Sequence, residues 1–163
     1  MTDDASAAAD ADWRPLPPRA RKMFMLGHAA MAAPLAIPVA VLSTVFDVAP
    51  LWAVAPLALL LALALGARIG ARRFASTAWR LDPDGFAHRR GRLWFRDTRV
   101  PASRVQHLDL KHGPLERRWN LATLVIHTAG SKMSAVSISG LDADDAEHLR
   151  DHLARQIDLD DAL

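Results

Sequence analysis

Two arginine-bearing segments hold the side chains in this sequence best suited to recognition chemistry. One is Val100-Pro101-Ala102-Ser103-Arg104-Val105-Gln106, and the other is the pair Arg117-Arg118. A guanidinium is a planar, permanently charged fork of N–H donors that grips phosphate or carboxylate oxygens two at a time. Arg104, Gln106, Arg117 and Arg118 are therefore the candidate ligand- or partner-binding residues, suited to a lipid headgroup or a peptide. The plainer role for Arg104 and Gln106 is to pin neighbouring loops through backbone carbonyls. Other chemistries find less to use. His148 and His152 stand four apart, a spacing that zinc sites use on one helix face. There is no HExxH pattern and no cysteine, so no metal or other cofactor is expected. Ser103, Ser131 and Ser139 lack the elbow and the assembled base that a nucleophilic serine needs. No glycine-rich phosphate loop is present, and the chain is not read as an enzyme.

The dominant positioning element is Met23–Ala67, 45 residues with one charged side chain, Asp47. Residues 23–46 and 48–67 form uncharged runs of 24 and 20 residues. At ~1.5 Å per residue, a helix of about 20 residues crosses a hydrocarbon core of roughly 30 Å. The pattern predicts a hairpin crossing a membrane twice and turning at Phe46-Asp47-Val48-Ala49-Pro50. A cleaved signal peptide fits poorly, because such apolar regions are typically ~7–15 residues long. Arg14, Arg19, Arg21 and Lys22 precede the hairpin, and Arg68, Arg72 and Arg73 follow it. These cations, with Trp13 as an interface anchor, are the expected membrane-surface contacts. By the positive-inside rule they place both termini in the cytoplasm. Pro34 and Pro38 are expected to bend the first span, and Pro50 to start the second. Ala62, Gly66 and Gly70 recur every four positions, a spacing that lets helix backbones approach closely. Their expected partner is the alanine-rich first span. His28 is an ionisable group inside that span, a functional candidate by default unless it reaches the headgroups.

The net charge of +2 conceals an asymmetry. Arg68–Arg118 carries 13 Lys and Arg against 5 Asp and Glu, whereas Trp119–Leu163 carries 3 against 8. A basic half attached to a membrane span favours anionic headgroups of the inner leaflet over nucleic acid. Residues 1–22 read as a disordered acidic tail followed by a basic, Trp-containing juxtamembrane segment.

After the second span the period changes to that of strands, at Ser76–Leu81, Phe86–Arg89, Leu93–Val100, Val105–Lys111, Leu121–Thr128 and Lys132–Ser139, with turn residues between them. Along Val105–Lys111, simple alternation puts Gln106, Leu108 and Leu110 on one side and Val105, His107 and Asp109 on the other. Arg89, Arg90, Arg92 and Arg96 read as a solvated basic face, beside Leu93-Trp94-Phe95. Asp142 is a good N-cap for a closing helix with an apolar stripe of Ala146, Leu149, Leu153 and Ile157. The acidic tail 158–163 follows.

A family resemblance rests on Asp84-Gly85-Phe86, Arg90-Gly91 and Val100-Pro101-Ala102-Ser103-Arg104-Val105-Gln106. It continues through Gly113-Pro114-Leu115-Glu116-Arg117-Arg118-Trp119-Asn120-Leu121-Ala122-Thr123-Leu124, Thr128-Ala129-Gly130, Ile138-Ser139-Gly140-Leu141 and the closing helix. In this order, behind a double span, these motifs resemble the YdbS-like bacterial pleckstrin-homology (PH) membrane proteins. The resemblance implies an α+β membrane protein: a two-helix hairpin, then a PH-like split β-barrel of about seven strands at 76–157, capped by a C-terminal helix. Asn120 stands where the family usually has glycine, and asparagine is the next best residue in left-handed geometry. The family carries no established reaction, so the fold does not fix the activity.

The expected function is that of a membrane-anchored, non-catalytic binding or scaffold module on the cytoplasmic face of a bacterial inner membrane. Its expected partners are anionic lipid and another membrane protein, one with similar PH-like domains included. The alternative is a small transport or envelope-stress component working through His28, Asp47 and the proline-rich hairpin.

Overall fold

Both apolar runs fold as helices. The computed structural model describes residues 13–82, 85–91, 96–128 and 135–160, with side chains described as far as Arg155. The expected acidic tail at 1–12, the Leu93-Trp94-Phe95 segment, the turn at Ala129-Gly130-Ser131 and the side chain of Ile157 lie outside these residues. The chain divides into two compact units, one from Arg21 to Ala75 and one made of the residues before and after it.

In the first unit, α1 (Ala20–Ala32) passes through a 3-10 turn (Ala33–Leu35) into α2 (Ala36–Val45), and α3 (Leu51–Ala75) returns. Pro34 sits in the 3-10 turn and Pro38 in the first turn of α2, where a missing N–H costs least. The expected effect of the prolines is thus seen as a 3-10 junction between two helical segments. Asp47 takes the left-handed conformation (φ 52°) at the hairpin tip. The Ser43 hydroxyl donates to the Ala49 carbonyl at 3.0 Å, and that of Thr44 to the Val41 carbonyl at 2.7 Å. The two hydroxyls just before the tip are therefore satisfied internally, as a hydrocarbon environment requires. The second helix starts one residue after Pro50 and continues eight residues beyond the expected end at Ala67.

Ala62, Gly66 and Gly70 are the buried residues of α3. They form the seam against α1. A β-carbon on Gly66 would lie 2.4 Å from the His28 carbonyl oxygen, and one on Gly70 would lie 2.2 Å from that of Phe24. Only glycine permits this approach. Outside the seam the helices are bare: Met31 and Trp52 are each 80% exposed and Phe46 70%. Of the most apolar windows of the two spans, 6% and 17% is buried. A soluble core helix shows the opposite pattern, and surface of this kind belongs in lipid or against a partner.

Among its described residues, the second unit has seven strands in two antiparallel sheets. Sheet one runs β1 (Arg14–Pro15), β2 (Thr77–Asp82), β3 (Gly85–Arg90), β4 (Arg96–Pro101); sheet two runs β5 (Val105–Lys111), β6 (Leu121–Thr128), β7 (Ala135–Asp142). Among the described residues the two sheets do not close into one barrel. The C-terminal helix, α5 (Ala143–Asp160), packs on β5, β6 and β7 and extends past the expected end at 157. Phe86, Leu121, Leu124, Ile126, Ile138, Leu141 and Leu153 are the largest fully buried side chains. Each contributes about 1.5–3 kcal/mol on removal from water. The helix stripe behaves as its spacing predicts, with Ala146, Leu149 and Leu153 buried.

Two elements fall outside the sequence reading. Arg14–Pro15 pairs with Trp79–Ala78 as an edge strand, and Leu16 behind it is 3% exposed. The approach to the hairpin is thus part of the folded domain. The second is α4 (Pro114–Arg118), where the Glu116 carboxylate reaches back to accept from the Gly113 N–H at 2.7 Å and also accepts from Thr123 Oγ1 at 2.5 Å. Asn120, at φ 51°, ends the connection in left-handed geometry, as expected of the residue in that place.

The alternation expected along β5 is corrected by a β-bulge. Val105 opposes Thr128, but the next pair is His107 with His127, so Gln106 is an extra residue. The bulge reverses the parity of everything after it. Val105 is buried, Leu108 and Leu110 are half-buried, and Gln106, His107 and Asp109 are exposed. Val105 therefore lies with the leucines and not with His107 and Asp109.

Candidate functional site

Arg104 closes the 3-10 turn Ala102–Arg104, and Gln106 is the bulged residue that follows; both side chains are exposed. Pro101 is extended (ψ 142°) and Ala102 is buried, so the turn is pinned by its apolar members while its polar members face outward. Arg117 and Arg118 lie on α4, also exposed. Among the described residues none of these four side chains makes a hydrogen bond or ion pair, so the loop-pinning role is not seen. The two groups do not meet. Arg104 and Gln106 stand at the start of β5 and Arg117 and Arg118 beyond its end, and the strand's seven residues span roughly 20 Å at ~3.3 Å each. The structure thus offers two separate basic points where the sequence suggested one set.

The juxtamembrane residues are more engaged. Trp13 lies beneath two guanidinium groups, Arg89 at 4.7 Å and Arg80 at 5.2 Å from its ring centre, and Arg14 lies 5.4 Å over Trp79. Such cation–π contacts are worth ~0.5–1 kcal/mol at exposed sites. Arg19 pairs with the Asp142 carboxylate and donates to the Asn120 carbonyl at 3.3 Å. The other Asp142 oxygen accepts from the Asp144 N–H at 3.2 Å, which is the N-cap predicted for α5. One carboxylate therefore starts the closing helix and holds the chain just before the hairpin. Arg21, Lys22, Arg68 and Arg72 are exposed helix residues, and Arg73 is half-buried.

Inside the hairpin, His28 is committed on both nitrogens. Its Nδ1–H donates to the Phe24 carbonyl at 2.8 Å, and Nε2 accepts from Arg73 at 3.3 Å. The ring also stacks on Phe24 at 6.2 Å between centres. This is a pin between α1 and α3, a role the sequence reading did not assign. Asp47, the other residue of the transport alternative, is exposed at the hairpin tip.

Comparison with known proteins now bears on this arrangement. The model of a family described as "Bacterial PH domain" matches residues 27–157, more than three quarters of the chain. The chain belongs to the bacterial PH domain family. Within this PH-family protein, a stretch of 56 residues is 45% identical to the UPF0699 transmembrane protein YdbS of Bacillus subtilis (strain 168), covering 34% of this chain and 33% of that protein. The matched stretch spans about a third of that relative's length. No solved structure matches the chain. Family, relative and the two bare apolar helices agree on a YdbS-like, membrane-associated bacterial PH-domain protein.

Proposed function

We propose that this PH-family chain is a non-catalytic binding module, anchored on the cytoplasmic face of a bacterial inner membrane, that recognises anionic groups. The observation that carries the reading is the set of exposed guanidinium groups at Arg104, Arg117 and Arg118, without intramolecular partners among the described residues. They belong to a domain whose chain enters and leaves an apolar hairpin. Their shared chemistry is carboxylate or phosphate, presented by anionic lipid headgroups or by a membrane-protein partner, one with PH-like domains included. The match to a PH domain, a type that is typically non-catalytic, supports a role without catalysis. Support for an even number of crossings comes from β1, which precedes the hairpin yet pairs with β2, which follows it. The cluster of Lys and Arg at both ends supports the cytoplasmic side.

The test is native mass spectrometry of the full-length protein released from membranes in mild detergent, comparing wild type with Arg104→Ala and Arg117→Ala. Because the two arginines lie at opposite ends of β5, each variant reports on its own surface. Retained anionic lipid that one substitution removes identifies a headgroup site, and a retained protein similarly lost identifies a partner site. A bare particle unaffected by either change refutes the reading and directs attention to the hairpin.

A further inference from the structure

The bulge at Gln106 has a chemical result on the outer face of sheet two. Without it, continuous pairing from Val105–Thr128 would set Gln106 opposite His127. With it, His107 is the register partner of His127, and Asp109 follows on the same face. The two imidazoles stack at 4.0 Å between ring centres with planes 13° apart. Nε2 of His127 lies 3.2 Å from Oδ2 of Asp109. One donor atom from each of the three side chains can be chosen so that all lie within 4.8 Å of one another.

We propose that His107, Asp109 and His127 form a binding site for a divalent late transition-metal ion of the zinc type. Two imidazoles and a carboxylate are an established donor combination for such ions. At bond lengths of about 2.0–2.1 Å, tetrahedral donors stand roughly 3.3 Å apart. The His127–Asp109 edge is already at that length, and a donor atom of His107 lies within 4.8 Å of both partners. The backbone beneath is fixed, because Val125 and Ile126 of the central strand are buried on either side of the ladder. Two of the donors are exposed and His127 is half-buried, so an ion enters without opening the fold. Three protein donors leave a coordination position for water or an exogenous ligand. Lys111, exposed and two residues beyond Asp109 on β5, disfavours cations held by charge alone. Selection therefore falls to the imidazoles, which favour zinc, copper or nickel over calcium and magnesium.

The experiment uses the full-length, untagged protein in detergent after chelator treatment. Zn2+ alone is titrated in competition with a chromophoric chelator, and Co2+ alone supplies a visible spectrum that reports coordination. The expected result is one Zn2+ per chain, with His107→Ala, Asp109→Asn and His127→Ala each weakening binding by at least about tenfold. The double variant His148→Ala/His152→Ala binds as wild type. On the wild-type chain, saturating Zn2+ shields His107 and His127 from diethyl pyrocarbonate while His112 and His148 stay reactive, a readout independent of any variant's folding. The proposal is overturned by the absence of stoichiometric binding, by binding lost only with His148 and His152, or by equal modification of His107 and His127 with and without Zn2+.

Discussion

Substituting Gly70 by alanine probes the close approach of the two hairpin helices. A β-carbon at this position meets the Phe24 carbonyl oxygen at 2.2 Å, its carbonyl carbon at 2.6 Å and the Met25 α-carbon at 2.9 Å. Unstrained contacts of these kinds begin at roughly 3.3–3.5 Å, so α1 must retreat by about 1 Å. All three neighbours are backbone, and no rotamer change relieves them. Overpacking of this sort costs typically 1–3 kcal/mol, and alanine returns up to about 1 kcal/mol of helix propensity. With that gain taken in full, the expected net loss for Gly70→Ala is about 0–2 kcal/mol. Gly66→Ala behaves alike, with contacts of 2.4 Å to the His28 oxygen and 2.8 Å to the Ala29 α-carbon. Gly27 is the internal control: a β-carbon there meets nothing within 4 Å, so Gly27→Ala gains up to about 1 kcal/mol from propensity alone. Unfolding of the full-length protein by increasing SDS fraction in mixed micelles, followed by circular dichroism, separates the variants by about 1–3 kcal/mol, since the propensity gain is common to both. If Gly70→Ala and Gly27→Ala unfold together, the seam is not a close helix contact and the reasoning fails.

Three further substitutions test the domain, each read by chemical denaturation of the full-length protein in detergent. Asp142→Ala removes a helix cap and the ion pair with Arg19, an expected loss of about 1–2 kcal/mol; Arg19→Ala, at a more exposed group, costs less than about 1 kcal/mol, and the reverse order contradicts the capping role. Asn120→Gly stays within about 0.5 kcal/mol of wild type while Asn120→Val loses about 1–2 kcal/mol, because the residue sits at positive φ; equal stability of the two argues against that conformation. Glu116→Ala leaves the Gly113 N–H and the Thr123 hydroxyl without their acceptor, with an expected loss of about 2–3 kcal/mol; a neutral result shows that water replaces the carboxylate.

What could be read beforehand follows from how far each signal reaches along the chain. The hairpin, the alanine–glycine seam, the Asp142 cap and the left-handed Asn120 are local matters of composition, spacing or residue type, and all appear in the structure. Val105–Lys111 and Leu121–Thr128 were legible to the residue because both carry strand-forming residues between clear turns. The edge strand Arg14–Pro15 was not, since two residues have no period and their partners are more than sixty residues away. Five residues of α4 are likewise too few for a helical period, although Gly113-Pro114 with a glutamate two residues on was a usable cue. The bulge at Gln106 left no mark on simple alternation, and that is why the histidine–aspartate set escaped notice: its third member comes from another strand, brought opposite only by a one-residue slip. The arginine points suffer from the converse problem. Their chemistry is visible in the sequence, but their separation along β5 is not.

The pairing of β1 with β2 also bears on how the protein is made. The edge of sheet one is emitted first from the ribosome, and its partner appears only after the whole hairpin has been synthesised. Closing such a loop in a disordered chain carries an entropy that grows with the logarithm of its length. Here the packed hairpin performs the closure, since Phe24 near the start of α1 touches Gly70 near the end of α3. A chain whose hairpin fails to form therefore leaves the edge of sheet one at Trp79 without the help of that closure.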